Sequence, residues 1–222
     1  MHVAITGASR GIGRASALRL AARGARLTLL GRPSAALDSL QRELRAQDVE
    51  FVPCDLAERD DVARAGQRLA ESTPDVLVNN AAIIERAALD ELSPESFERQ
   101  LAVNLVAPAM LCRAVLPGMR ARGSGRLLFV ASISATLGTA RATAYNASKW
   151  GLVGLMKSLG EELSGSGLMT CAILPGSVDT EMLAGSGFPA RMSSDDVART
   201  LEHYALDAPV AHNGASIEMF GT

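Results

Sequence analysis

Tyr145 and Lys149 stand four residues apart in the stretch SISATLGTARATAYNASK, residues 132–149. On a helix that spacing puts both side chains on one face. A phenol beside an ammonium is a way to build an acid/base group that works near neutral pH. A free tyrosine has a pKa of about 10. An ammonium about 5 Å from the phenolate, at an effective dielectric of about 20, stabilises it by about 3 kcal/mol, roughly two pKa units. The positive ring of an oxidised nicotinamide would lower it further. Ser132 closes the apolar run LLFVAS, which reads as a buried parallel strand. A hydroxyl at the carboxyl end of such a strand faces the crevice where α/β sheets bind ligands. Taken singly, each feature is common: most Tyr/Lys pairs are surface pairs, and a serine after a strand usually turns or caps the chain. Their weight comes from the order of the elements around them.

The first of those elements is a strand over residues 2–6 (HVAIT), a turn Gly7-Ala8-Ser9-Arg10-Gly11-Ile12-Gly13, and a helical pattern through Arg23. Strand, glycine turn and helix form the context of a dinucleotide fingerprint. Gly7 allows the tight turn, Gly11 lets backbone approach a pyrophosphate, and Gly13 lets helix pack closely on strand. The helix start then offers free N–H groups to phosphates. A second strand, residues 26–30, runs into Gly31-Arg32. NAD-dependent proteins commonly carry a carboxylate there for the ribose hydroxyls. This chain has none. Arg32 and Arg10 suit a 2′-phosphate instead, because a guanidinium binds phosphate through two parallel hydrogen bonds. The reading favours NADP(H) over NAD(H).

Further along, a helix is expected over 34–46, a strand over 50–54 and a helix over 60–71. Asp55, just past the third strand, can cap the next helix or accept from an adenine amine. A fourth strand at 75–78 leads into Asn79-Asn80-Ala81-Ala82, where paired amides suit either a close approach of cofactor or a turn. Ser93-Pro94 starts a long helix as cap and first-turn proline. Within it Pro108 cannot donate to the carbonyl of Asn104, which predicts a kink and a free carbonyl. That carbonyl and the amide side chain can hold an ordered water. A fifth strand over 126–131, a helix over 143–163, a sixth strand over 168–174, the turn Pro175-Gly176-Ser177-Val178-Asp179-Thr180, a helix over 194–206 and a strand over 216–220 complete the chain. The alternation predicts a doubly wound parallel sheet.

The 222 residues are 48% hydrophobic with a formal net charge of −2. That fits one domain over residues 1–222 with a large core, and gives no sign of nucleic-acid binding. No apolar run reads as long enough to span a membrane, and the first strand starts too early for a leader. Cys54, Cys112 and Cys171 lie in apolar segments without CxxC spacing, so they read as buried free thiols. Their odd number points to a reducing compartment. Lys149 and Lys157 are the only lysines beside many arginines, a bias that points to a GC-rich, bacterial genome. There is no low-complexity tract or repeat, and no metal-ligand pattern is singled out.

Taken together, the TGASRGIG loop at 6–13, Asp55, the NNAA at 79–82, Asn104, Ser132, the YxxxK of Tyr145 and Lys149, and the PGSVDT at 175–180 resemble the short-chain dehydrogenase/reductase family along nearly the whole chain. The nearest likeness is to its β-ketoacyl-carrier-protein-reductase-like branch. The resemblance implies a seven-stranded Rossmann sheet with helices on both faces and an Asn-Ser-Tyr-Lys tetrad. It implies that Tyr145 gives or takes the proton at the substrate oxygen and that Ser132 hydrogen-bonds that oxygen. By the same likeness Lys149 lowers the Tyr145 pKa and binds the nicotinamide ribose, while Asn104 holds a water. The implied cofactor contacts are Gly7, Ser9, Arg10, Gly11, Ile12, Gly13, Arg32, Asp55, Leu56, Asn80, Tyr145, Lys149, Pro175, Gly176, Val178 and Thr180, the last against the carboxamide. A homodimer or homotetramer built on the helices at 94–122 and 143–163, and a cytoplasmic location, go with it. Three departures stand out. Ala82 replaces the usual glycine, residues 181–192 are all there is for a substrate lid, and the closing EMFGT matches loosely.

The expected activity is therefore hydride transfer between NADP(H) and a small carbonyl or secondary-alcohol substrate. The competing reading is a catalytically silent NADP(H)-binding regulator or scaffold. Such proteins usually lose the tyrosine or the lysine, and both are present here. A dehalogenase of related fold would replace the glycine loop by a halide pocket and the lysine by arginine; Gly7, Gly11, Gly13 and Lys149 speak against it.

Overall fold

The computed structural model describes residues 1–221; Thr222, the last residue of the EMFGT ending, lies outside them. The aliphatic and β-branched runs become seven parallel strands: β1 (His2–Thr6), β2 (Arg26–Gly31), β3 (Val49–Pro53), β4 (Val76–Asn79), β5 (Gly125–Val130), β6 (Leu168–Pro175) and β7 (Ala215–Met219). They form one sheet in the order β3-β2-β1-β4-β5-β6-β7. Successive side chains of a strand point to opposite faces, and both faces here are covered. Val3, Ile5, Val76, Val78, Leu128 and Ile173 meet α1 (Gly11–Ala22), α2 (Ala35–Glu43) and α7 (Ser194–Leu206) on one side. Ala4, Leu77, Leu127, Phe129 and Leu174 meet α3 (Arg59–Glu71), α5 (Ala107–Arg122) and α6 (Thr143–Glu162) on the other. Two-sided burial is why the strands read as unbroken apolar runs.

Three expectations need correction. The second helix ends at Glu43, capped by Leu44, so the expected extension to residue 46 is a turn instead. The expected proline kink is a π-helical turn, Ala102–Val106, between α4 (Pro94–Leu101) and α5. The Ala107 N–H reaches back five residues to the Ala102 carbonyl. One extra residue in the turn accommodates the missing donor of Pro108. Finally, the continuous helical stretch Pro94–Arg122 is long and apolar enough to cross a bilayer, against the sequence reading. Its Leu111, Cys112, Val115 and Met119 are fully buried against α3 and the sheet, which is how a core helix comes to be so apolar.

Between β1 and β4 the chain reverses its direction of progress through the sheet, so the crevice opens at their carboxyl ends. Gly7, Asn80 and Gly176 follow β1, β4 and β6 directly and Ser132 follows β5 after Ala131, so all four stand at that edge.

Candidate active site

After β1 the backbone turns with positive φ at Gly7 (+68°) and Gly11 (+54°), a region side chains rarely tolerate. A Cβ on Gly13 would lie 2.3 Å from the Gly7 carbonyl oxygen and 2.5 Å from Asn80 Nδ2. Asn80 is the brace of this loop. Its Nδ2 donates to the carbonyls of Thr6 (2.9 Å) and Gly7 (3.1 Å), and its N–H donates to Thr6 Oγ1 (3.0 Å). Both amide hydrogens are therefore spent on the protein, where they brace the glycine loop. Arg10 occupies the cap position of α1 without a side-chain cap bond, and the first turn holds no acid. The N–H groups there remain available to an anion, so the loop fits a pyrophosphate. Ser9 lies in the loop, and Ile12 packs partly buried against the core.

At the end of β2, Arg32 stands 3.9 Å from Asp55. Asp55 Oδ1 accepts from the Ala57 N–H (3.0 Å), and the Asp55 N–H donates to Asp61 Oδ2 (2.9 Å). The cap position of α3 is Glu58, so Asp55 turns the chain rather than capping that helix. The Leu56 side chain lies in the core, which leaves only its main chain for a ligand. Arg10, expected beside Arg32 at a 2′-phosphate, pairs with Glu181 across the crevice.

The proton-handling group sits on α6. Tyr145 and Lys149 are 8% and 1% exposed, with Lys149 Nζ 5.6 Å from the Tyr145 ring centre. Ser132 caps the short turn after β5, accepting from the Ser134 N–H (3.1 Å). Its hydroxyl favours the ionised form of the Tyr145 phenol, as does the charge of Arg86. Burial outweighs both and holds the phenol above its ordinary pKa. Lys149 Nζ donates to the Val130 carbonyl at 2.8 Å, and burial drops its own pKa to about 7. A lysine half neutral at pH 7 is a weaker neighbour than the fixed charge first assumed.

Asn104, fully buried in the π turn, ties the site together. Its Oδ1 accepts from the Ile83 N–H (2.8 Å), and its Nδ2 donates to the Ile83 carbonyl (2.9 Å) and to Ser148 Oγ (3.0 Å). Ser148 in turn donates to the Tyr145 carbonyl at 2.7 Å. One amide therefore fixes the loop after β4 to the helix of Tyr145. With every polar atom of the side chain engaged, a water-holding role passes to the Asn104 main-chain carbonyl alone.

Pro175 ends β6, and the Gly176 N–H donates to the Met219 carbonyl (2.8 Å). Val178 bridges to Met192, and the Asp179 N–H donates to the Met192 carbonyl (2.8 Å). These contacts close residues 179–191 into a flap whose two ends meet. Thr180 faces the glycine loop: a Cβ on Gly11 would lie 3.2 Å from its Cγ2. Arg86 holds the flap from the opposite wall through the Met182 (3.1 Å) and Ala184 (3.3 Å) carbonyls. The sequence gives no site role to Arg86, Ser148 or Glu181. Only Arg86 left a signal there, as the one cation in residues 79–98. A cavity of about 600 Å³ beside Lys157, Glu161 and Asn213 lies near the start of β6 and contains none of the residues of the crevice.

Residues 1–187 match the family model described as short chain dehydrogenase. Over 209 residues the chain is 38% identical to the first ketoacyl reductase assigned to the granaticin polyketide synthase of Streptomyces violaceoruber, covering 90% of this chain and 71% of that one. It is 34% identical over 182 residues to the 3-oxoacyl-[acyl-carrier-protein] reductase MabA of Mycobacterium avium, covering 81% and 68%. A crystal structure from Beutenbergia cavernae, assigned as an NAD(P)-dependent gluconate 5-dehydrogenase and holding NADP at low occupancy, superposes with a TM-score of 0.92 at 33% identity, covering 99% and 95%. This chain belongs to the short-chain dehydrogenase/reductase family of oxidoreductases, in its ketoacyl-reductase-like branch.

Proposed function

We propose that the chain interconverts a small carbonyl compound and its secondary alcohol with NADP(H) as partner. The observation that carries the reading is the buried Tyr145 phenol with Lys149 Nζ 5.6 Å from its ring centre, on one face of α6. When bound, the nicotinamide supplies or accepts the hydride at the carbonyl carbon. Ser132 holds the substrate oxygen at the phenol. Tyr145 Oη gives its proton to that oxygen in reduction and takes it back in oxidation. A raised phenol pKa suits the donor direction, because the proton is present at neutral pH. Lys149, on its way between charged and neutral near pH 7, moves the replacement proton toward the phenol and offers Nζ to the ribose hydroxyls. The π turn leaves the Asn104 carbonyl to hold a water behind Lys149.

Arg32, with no acid at Gly31, supports NADP(H) over NAD(H). A cytoplasmic setting and self-association into a homodimer or homotetramer belong to the same reading. Three buried free thiols support the first, and exposed Val106, Met110 and Trp150 on the α5–α6 face support the second. The test is oxidation of NADPH and NADH against a ketone panel by the natural chain and Tyr145→Phe. Expected are faster turnover with NADPH, a loss of at least about 1,000-fold in Tyr145→Phe, and unchanged NADPH binding. Equal turnover by the two chains overturns the role given to Tyr145.

A further inference from the structure

The loop between β4 and α4 holds one cation, Arg86, that the chemistry above does not use. Three contacts fix its place. Ile83, three residues before it, is clamped by Asn104. Ala87, the residue after it, bridges to Ala142, which immediately precedes the helix of Tyr145. The guanidinium itself donates Nη1 to the Ala184 carbonyl and Nη2 to the Met182 carbonyl of the flap. It therefore stands where the catalytic helix starts and the flap comes down, close enough for its charge to act on the Tyr145 phenol.

Its surroundings distinguish it from Arg10, Arg32 and Arg141, each of which has a carboxylate within 4.0 Å. Among the described residues Arg86 has none, and its only acceptors are two neutral carbonyls. A guanidinium has five N–H donors, so two bonds leave the larger part of the fork free. A partly buried cation without a counter-ion beside the reacting oxygen favours an anion in the same pocket. A single positive charge balances a monoanion rather than a phosphate dianion.

We propose that Arg86 is a specificity-determining residue that binds a carboxylate on the substrate, so that the enzyme acts on keto and hydroxy acids in preference to neutral ketones and alcohols. The inference rests on the hydride-transfer reading for its reaction but not for its binding test.

The probes are acetoacetate, levulinate and 5-oxohexanoate, each against its methyl ester, with the full chain saturated with NADPH at pH 7. Calorimetric dissociation constants for each acid and ester are taken in the presence of NADP+, and turnover is followed separately. Expected are at least tenfold tighter binding of one or more acids than of the matching ester and the same preference in kcat/KM. Arg86→Gln is expected to cut the acid-to-ester ratio at least thirtyfold, and Arg86→Lys to restore part of it. Loss of the flap bonds alone would weaken acid and ester together and leave the ratio unmoved. An unmoved ratio, or saturable binding of none of the three acids, overturns the proposal. Acids that bind with the expected ratio but are never reduced leave the role of Arg86 standing and sink the hydride-transfer reading instead.

Discussion

The floor of the crevice and the flap above it are built on opposite terms. On the floor Asn79, Asn104 and Lys149 are all at most 2% exposed, and Asn80 and Asn104 spend both amide hydrogens on neighbouring backbone or hydroxyl groups. Each such bond is worth about 1 kcal/mol net, and removing one partner strands a buried polar group at greater cost. The flap has two glycines of positive φ, Gly185 and Gly187, an exposed Phe188, and one ion pair whose partners are 63% and 72% exposed. Groups that must meet within a fraction of an ångström are locked by buried bonds, while the element that must admit different molecules is held by contacts water can replace. The same contrast accounts for Arg86, which is rooted in the floor and reaches into the flap.

The largest expected effect comes from breaking the floor. Gly13→Ala places a methyl 2.3 Å from the Gly7 oxygen, where only backbone movement can relieve it. A stability loss of about 4 kcal/mol or more is expected, with cofactor binding abolished. Unfolding in urea and a titration with NADPH check both, and wild-type behaviour in either would show that the loop is as pliable as the flap.

Lys149 gives an effect of opposite sign. Its folded-state pKa of about 7 lies below its ordinary value of 10.5. Below pH 7 both folded and unfolded chains carry the charge, and the fold bears the full cost of burying it. Between pH 7 and about 10.5 the unfolded chain binds more protons, so stability rises with pH. Lys149→Met removes that cost. The variant is expected to lose turnover yet be more stable at pH 6 by about 5 kcal/mol, with the gap closing toward pH 10. Urea unfolding at both pH values checks it; a constant gap means that the floor carries no such stored cost.

The strands, the glycine turn and the Tyr145–Lys149 face are legible in the sequence because each depends on residue type and local spacing. Ser93 followed by Pro94 gives the start of α4 to the residue, and the Ser93 Oγ accepts from the Ser96 N–H as such a cap should. What could not be read depends on contacts between distant segments. The pKa of Lys149 depends on the depth of burial under β5, and no spacing rule encodes depth. Asn104 was legible as a special position, but its partners Ile83 and Ser148 are 21 and 44 residues away. The π turn was hidden because a proline predicts a disturbed helix without saying how the disturbance is absorbed. Pairing of Arg10 with Glu181, 171 residues apart, is another contact that no local spacing encodes.

That pairing also supplies the smallest effect and the sharpest test of the flap. An ion pair this exposed contributes between about 0 and 1 kcal/mol, and salt screens it. Glu181→Gln should therefore leave the unfolding midpoint within about 2 °C of wild type. The flap has little else to hold this end, since the Arg86 bonds attach farther along at Met182 and Ala184. Opening should become roughly two- to fivefold more frequent, the factor that about 0.5 to 1 kcal/mol implies. Limited proteolysis within residues 179–191 at low salt reads this directly. Raising the salt should speed cleavage of the natural chain toward the rate of the variant and leave the variant nearly unchanged. Identical cleavage of the two chains at low salt would mean that the flap is held by its backbone ends, Val178 against Met192, and not by its charges.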